Sequence, residues 1–534
     1  MNNQSKIFLF LFSAFLLVAG IFIGIKLDFS DSKIVFLRSA KSSDKINNIL
    51  NFIEEEYVDS VKKNELLEKA IQDLLQNLDP HSAYLTVKEV KELNEPLQGS
   101  FEGVGIEFNI LRDTIRVISA IAGGPSELLG IQAGDKIIKI DNKNAAGIKI
   151  KNQDVIGKLR GKGGTKVNVS IMRGKRKRLI TYTITRGKIP IYSVDVGYLL
   201  NKNTGYIKIS RFAEITYDEF VIKSQKLLKN GMKNLILDLR GNSGGLLHIA
   251  IKISDEFLEK GKSIVYTQGK SHPRESIYAT DKGILTNVKL IVLIDEGSAS
   301  ASEIVAGAIQ DNDRGLIIGR RSFGKGLVQR EILFPDSSAI RLTIARYYTP
   351  TGRCIQKPYD KGLEVYYSEE YNRFQSGELQ HADSIHFSDS LKYITSKGKI
   401  VYGGGGIMPD VFVPMDTIGR TSYLTELFIK GLINQFGFDY ADKHRKQLAA
   451  MDIQKFQKYF FISGKLFNDF IRVAEKNNIL SRKNEITASC DLIKTLLKAT
   501  IARHIWGNDG FYFILNEKDK IIIRATELID SSAM

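Results

Sequence analysis

Two short segments hold the residue types for acyl chemistry. Gly297-Ser298-Ala299-Ser300-Ala301-Ser302-Glu303 puts serines on a small-residue turn ahead of a helical run over 303–310. Downstream, Ser322-Phe323-Gly324-Lys325-Gly326 places one lysine between two glycines. A serine hydroxyl is a weak nucleophile until a base takes its proton, and a lysine can be that base if burial lowers its pKa from about 10.4. Phe323, Leu327 and Val328 make the surroundings of Lys325 apolar enough to allow this. The pairing points to amide cleavage by a serine and a lysine. Three serines compete for the nucleophile's place, and spacing alone does not choose among them.

Other motif-like strings carry different chemistry. Gly241-Asn242-Ser243-Gly244-Gly245 matches G-x-S-x-G between a strand and a helix, as a nucleophile elbow does, with His504 available downstream as a base. Its glycines continue to Gly245, which suits close approach of a backbone instead. The segment 319–326 nearly matches a phosphate loop, but Gly326 stands where a magnesium-binding Ser or Thr belongs and the next residues alternate like a strand. Ser322-Phe323-Gly324-Lys325 matches S-x-x-K, yet glycines at 324 and 326 oppose the helix that motif needs. The seven histidines are scattered with no ligand spacing, so neither metal nor organic cofactor is expected.

The elements that must position these residues follow from length and periodicity. With 534 residues, 43% apolar and 25% charged, the chain reads as several folded domains with ample core. Residues 27–98 begin as a polar tether and continue with helical spacing, for example Leu66, Leu67, Ile71, Leu74, Leu75 and Leu78, until Asp79-Pro80-His81-Ser82 breaks it. Residues 99–187 are β-rich and studded with glycine. Residues 188–415 alternate strands (205–210, 235–239, 290–294, 316–318) with helices (217–229, 246–258, 301–310), which predicts an α/β core on a largely parallel sheet. Residues 416–534 return to helical spacing, with β-like runs at 511–515 and 521–524.

Residues 7–25 are an uncharged apolar run of 19 residues, able to span roughly 28 Å as a helix. It reads as an uncleaved anchor, with a cleaved signal as the alternative, and either makes the rest of the chain exported. The net charge of +16 is spread along the chain apart from one basic cluster, 173–178. That cluster reads as a solvated hairpin tip, with contact to anionic lipid or polyanion as the alternative. No aromatic residues interleave with basic ones, so no nucleic-acid partner is expected. Cys354 and Cys490 are expected as free thiols.

Taken in order, these motifs resemble the C-terminal processing peptidases, tail-specific serine proteases with an inserted PDZ domain. The resemblance covers roughly 44–415. It includes Leu78-Asp79-Pro80-His81-Ser82-Ala83-Tyr84-Leu85, Gly103-Val104-Gly105-Ile106, Gly130-Ile131-Gln132-Ala133-Gly134-Asp135, Asp238-Leu239-Arg240-Gly241-Asn242-Ser243-Gly244-Gly245, Tyr348-Thr349-Pro350-Thr351-Gly352-Arg353 and Gly405-Gly406-Ile407-Met408-Pro409-Asp410. It implies a multidomain α/β fold: a mixed α/β, crotonase/ClpP-like protease core, an inserted β-rich PDZ domain, and helical N- and C-terminal regions. It implies Ser300 as nucleophile, 25 residues before Lys325 as base, with Gln329 orienting the lysine. Gly245 and Ala301 match the family's oxyanion-binding backbone N–H groups. Gly103, Val104, Gly105 and Ile106 match a loop that holds a substrate's terminal carboxylate. Ser298 and Ser302 are expected to cap or pack. The implied partners are proteins or peptides with apolar C-terminal tails, a membrane through the N-terminal segment, and a homo-oligomer as an open arrangement. The implied location is the periplasmic side of an inner membrane, anchored or soluble. The alternatives are a non-catalytic PDZ scaffold and a Ser-His-Asp hydrolase using Ser243.

Overall fold

The computed structural model describes residues 12, 14–18, 45–121, 123–174, 178–385 and 388–531. Two compact units divide the chain at Leu74 and Leu75. The first contains helix Lys45–Glu56 and most of helix Lys63–Gln76. Most of the apolar run 7–25 lies outside the described residues. Among the described residues no helix is long and apolar enough to cross a membrane.

Within the second unit, strands Ile106–Ile110, Ile115–Ala120, Lys136–Ile140, Lys166–Met172 and Ile180–Thr185 form one antiparallel sheet in that order. Alternation drives it: Ile115 and Val117, then Val167, Val169 and Ile171, point into one core with Val155 and Leu159 of helix Asn152–Leu159. Strand Ser100–Gly103 leading in pairs antiparallel with Gly187–Pro190 leading out. The β-rich module is thus an insert on a two-stranded stalk. The hairpin joining Lys166–Met172 to Ile180–Thr185 bears the basic cluster, of which Lys175, Arg176 and Lys177 lie outside the described residues. Arg173 is no solvated tip residue: its Nε and a terminal N–H donate to the two oxygens of buried Asp135, at 2.8 and 2.7 Å.

The α/β core carries six strands in the order Val194–Leu199, Thr204–Ile209, Asn234–Asp238, Lys289–Ile294, Leu316–Gly319, Val411–Phe412. The first is antiparallel and the other five are parallel, as the alternation of elements predicts. Helices Thr216–Lys229, Leu247–Asp255 and Ala301–Asp311 cover one face. Every residue of Ala301–Asp311 is buried. Burial of Ile304, Val305 and Ile309 contributes about 1.5–3 kcal/mol each and fixes where that helix starts. A second sheet contains Ala83–Leu85, Leu327–Leu333, Ala339–Tyr348, Ser263–Gly269 and His272–Tyr278.

The region beyond 416 builds its own helical core around Phe456, Phe470, Ile493 and Leu497. Residues 511–515 and 521–524, expected as β-like runs, are helical. The first run continues helix Lys483–Leu515, kinked at Gly507, and the second lies in helix Lys520–Asp530. Asp519 caps that second helix, its Oδ1 accepting from the Ile521 and Ile522 N–H groups at 2.9 and 3.2 Å. The residues that read as a strand are half of a helical stripe: Ile521, Ile522, Ala525 and Ile529 are buried against Val196, Tyr206, Ile236, Ile291 and Ile318. This helix covers the second face of the parallel sheet. β-branched propensity loses to an apolar face of helical period.

Candidate active site

Adjacent parallel strands end in adjacent loops, and the candidate residues sit on them, where open α/β sheets form their sites. Strand Asn234–Asp238 runs into the glycine-rich loop 239–246, and its neighbour Lys289–Ile294 runs into the serine turn. Strand Leu316–Gly319, next in the sheet, leads to the lysine segment. The loops are stitched together. Ser298 Oγ donates to the Leu239 carbonyl at 2.9 Å, and Ser302 Oγ donates to the Asn242 carbonyl at 2.8 Å. Both serines are buried packing residues, as the sequence suggests. The Phe323 N–H donates to the Ser298 carbonyl at 3.0 Å, which ties the lysine segment to the same turn.

Ser300 precedes helix Ala301–Asp311 with φ 55° and ψ −112°. A left-handed non-glycine costs about 1–3 kcal/mol and persists only where neighbours hold it. Glu303 and Tyr347 do so. The Ser300 N–H donates to Glu303 Oε2 at 2.8 Å, and the Tyr347 hydroxyl donates to the Ser300 carbonyl at 3.1 Å. The same two side chains reach across to the lysine. Glu303 accepts from the Lys325 N–H at 2.9 Å and the Gly324 N–H at 2.7 Å, and the Tyr347 hydroxyl also meets the Lys325 carbonyl. Burial pushes the Glu303 carboxyl up to about 7, against four donors that pull it down: Ser322 Oγ and the N–H groups of Lys325, Gly324 and Ser300. Sequence reading passed over Glu303 and Tyr347. The Ser300-x-x-Glu303 spacing, that of a capping box, was a signal for the first. Nothing local marks Tyr347.

Lys325 Nζ donates to Gln329 Oε1 at 2.9 Å. The Gln329 amide donates in turn to the His81 carbonyl, which leaves its oxygen to face the lysine. A register shift between Val328 and Gln329 sets the direction of that side chain. Asp79 holds the His81 strap, accepting from the His81 and Ser82 N–H groups at 2.8 and 2.9 Å and from Thr343 Oγ1 at 3.1 Å. Burial, reinforced by the Arg341 charge, lowers Lys325 to about 8, while Asp79 and Glu303 pull the other way. Arg341 lines the same cleft and pairs with Glu331 at 2.9 Å. Arg341→Leu is expected to move the rising limb of the pH–activity profile to higher pH, because a neighbouring positive charge that favours neutral lysine is gone; kcat/KM between pH 6 and 10 checks this.

The oxyanion candidates lie beside Ser300. A Cβ at Gly244 would fall 2.8 Å from Ser300 Cβ and 3.1 Å from the Ala301 nitrogen, and one at Gly245 would fall 2.1 Å from the Phe212 carbonyl oxygen. Gly244 and Gly245 have φ of 105° and 143°, so no other residue fits. The Gly245 N–H has no partner among the described residues, and Ala301 opens its helix, where no intrahelical acceptor exists. Ser300, Ala301, Lys325, Gln329 and Gly245 all line one cleft of about 800 Å³. Ser243 is exposed on that cleft, but His504 is not brought to it. The His504 ring packs on Phe438 in the helical bundle, and burial lowers it to about 4.

A second, smaller groove of about 350 Å³ lies on the β-rich insert, lined by Val104, Gly105, Ile106, Phe108, Ile156 and Leu159 among others. It runs between helix Asn152–Leu159 and strand Ile106–Ile110, the edge of its sheet. Gly105 has φ 75°. Gly103 is not on the groove; it ends the stalk strand opposite Gly187.

Comparison with known proteins matches residues 203–364 to peptidase family S41, 116–173 to a PDZ domain, and 27–89 to the N-terminal domain of the activating protease CtpB. Residues 423–507 match a family of unknown function. The carboxy-terminal-processing protease of Bartonella bacilliformis is 37% identical over 353 residues, 64% of this chain and 79% of that protein. The chain belongs to the S41 family of carboxy-terminal processing proteases. It is a serine-type endopeptidase. CtpA of Bacillus subtilis, a carboxy-terminal processing protease, is 34% identical over 339 residues, 62% of this chain and 71% of CtpA. A solved photosystem II D1 C-terminal processing protease is 25% identical and covers 70% of this S41 peptidase and 94% of its own chain, at a TM-score of 0.36.

Proposed function

We propose that this S41 peptidase cleaves proteins near their C-termini by a Ser300–Lys325 dyad, with the PDZ groove taking an apolar tail. One observation carries the reading: Ser300, Lys325, Gln329 and the two unpartnered backbone donors share one cleft. The neutral Lys325 amine donates one N–H to Gln329, which leaves its lone pair for the Ser300 hydroxyl. Ser300 Oγ adds to the scissile carbonyl as its proton passes to Lys325 Nζ. The Gly245 and Ala301 N–H groups receive the developing oxyanion at a helix N-terminus, whose dipole favours negative charge. The ammonium then protonates the departing amine, and water, losing a proton to Lys325, hydrolyses the ester to free acid and serine.

The edge strand Ile106–Ile110 supports addition of the tail as a further strand, with its carboxylate at the loop of Val104, Gly105 and Ile106. Gly103 shapes the entry to that loop. In this reading the PDZ domain is 99–187, the peptidase core 188–415 and the C-terminal region 416–534. The apolar run at 7–25 supports an exported, membrane-anchored enzyme.

The test is a folded reporter protein carrying either an apolar or an Asp-rich C-terminal tail. The apolar tail is expected to be cut at least about 30-fold faster, since a charged tail cannot enter an apolar groove without losing its hydration. Equal rates would remove the tail-binding half of the proposal.

A further inference from the structure

The glycine-rich loop has a support that the peptidase domain does not supply. Asp238, fully buried at the end of its strand, accepts from the Arg240 N–H at 2.9 Å and from the Arg240 guanidinium at 2.9 and 2.6 Å. The remaining side of that guanidinium donates to Asp519 Oδ2 at 2.8 Å. Asp519 is also the cap of helix Lys520–Asp530, so one carboxylate joins the start of that helix to Arg240. Lys208 Nζ donates to the Arg240 carbonyl at 3.0 Å, and Asp295 accepts from the Gly241 N–H at 2.8 Å. From Arg240 the loop runs only five residues to Gly245. Gly241, which Asp295 holds, borders both the catalytic cleft and a second cleft of about 750 Å³ that Arg240 and Asp519 line from behind.

We propose that Asp519 is a positioning residue for the oxyanion hole: the C-terminal region braces Arg240, and through it sets the Gly245 N–H against Ser300. The inference rests on the dyad reading above. A part-buried guanidinium held on both sides is fixed in place. Without Asp519 the outer N–H groups of the guanidinium turn toward the rear cleft, and the Asp238, Lys208 and Asp295 contacts alone set the position of the Arg240–Gly241 backbone. A displaced oxyanion donor weakens the transition state and leaves substrate binding as it was. The C-terminal region therefore completes the active site from the rear.

The test uses the full-length protein and separates bracing from capping. Asp519→Ala removes both. Asp519→Ser keeps a good helix cap but is too short to reach Arg240. Both variants are expected to lose about 5- to 20-fold in kcat with KM unchanged, and to bind a peptide aldehyde, which forms a tetrahedral adduct on the serine, more weakly by a similar factor. The serine variant is expected to keep a higher Tm than the alanine variant, because the cap survives, and Asp519→Glu to recover part of the rate. A serine variant with parent kcat overturns the proposal, because capping is then the whole role of Asp519. A loss confined to KM overturns it as well. Failure of the dyad reading shows separately, as Ser300→Ala that still cuts.

Discussion

Ser300→Ala is expected to lower kcat/KM on an apolar-tailed substrate by about 10⁴-fold or more, while Ser243→Ala stays within about threefold of the parent. The two serines lie on the same cleft, so proximity does not separate them. Their surroundings do. Ser300 is held at φ 55° by Glu303 and Tyr347, at the head of a wholly buried helix, on the cleft that Lys325 shares. Ser243 is exposed, and His504, the base proposed for it from sequence, is packed elsewhere. Both alanine variants remove one hydroxyl and leave the loop stitching of Ser298, Ser302 and Asn242 intact, so Tm is expected to change little. Kinetics on the tailed reporter with calorimetry alongside decides the matter. A dead Ser243→Ala with an active Ser300→Ala would reverse the assignment.

Lys325→Met is expected to abolish cleavage, by about 10³-fold or more, and to make the protein more stable at neutral pH. Methionine fills the same apolar space without a base. The stability gain follows from the sign of the pKa shift. The lysine titrates at about 8 folded and at an ordinary value near 10.5 unfolded. Below pH 8 both states carry the proton, and the folded state bears the full penalty of a charge in an apolar setting. Between pH 8 and 10.5 only the unfolded state keeps the proton, so that penalty fades as pH rises. Removing the charge gains on the order of 3 kcal/mol at pH 7, with the gain vanishing above about pH 10. Denaturant melts at pH 7 and pH 10 measure it. The same titration shapes activity in the parent enzyme. About a tenth of the lysine is neutral at pH 7 and about nine-tenths at pH 9, so kcat/KM climbs through pH 8 to a plateau. Lys325→Arg is expected to be as inactive as the methionine variant, because guanidinium does not deprotonate. Activity that falls from pH 7 to 9 would argue against lysine as the base.

How much was legible before the structure depended on the reach of each signal. The serine turn, the helix after it and the parallel strands are set by neighbouring residues: small side chains at the turn, glycines where the chain bends, apolar runs where strands are buried on both faces. These read directly. The supports of the site are long-range. Glu303 joins the serine turn to Lys325, 22 residues on, through N–H groups, Tyr347 bridges the same two segments through the Ser300 and Lys325 carbonyls from a different sheet, and His81 reaches Gln329 from far upstream. No local pattern encodes such pairs. Arg173 shows the same limit on the surface. Its cluster reads as solvated charge, and only the fold brings Asp135 beneath it. The run 521–524 misleads for a different reason. Consecutive isoleucines favour a strand locally, but burial of Ile521, Ile522, Ala525 and Ile529 on one side demands a helix.

The cover that helix Lys520–Asp530 lays over the parallel sheet also fixes an order of events when the protein is made. Translation completes every strand of that sheet by Phe412, and then the whole helical bundle, before Ile521 exists. Throughout that interval Val196, Tyr206, Ile236, Ile291, Leu293 and Ile318 face water as one sticky surface. A peptidase domain without that helix presents an uncovered apolar face, the kind of surface that associates or aggregates. A chain truncated after Phe412 is therefore expected to aggregate where the full-length protein stays dispersed.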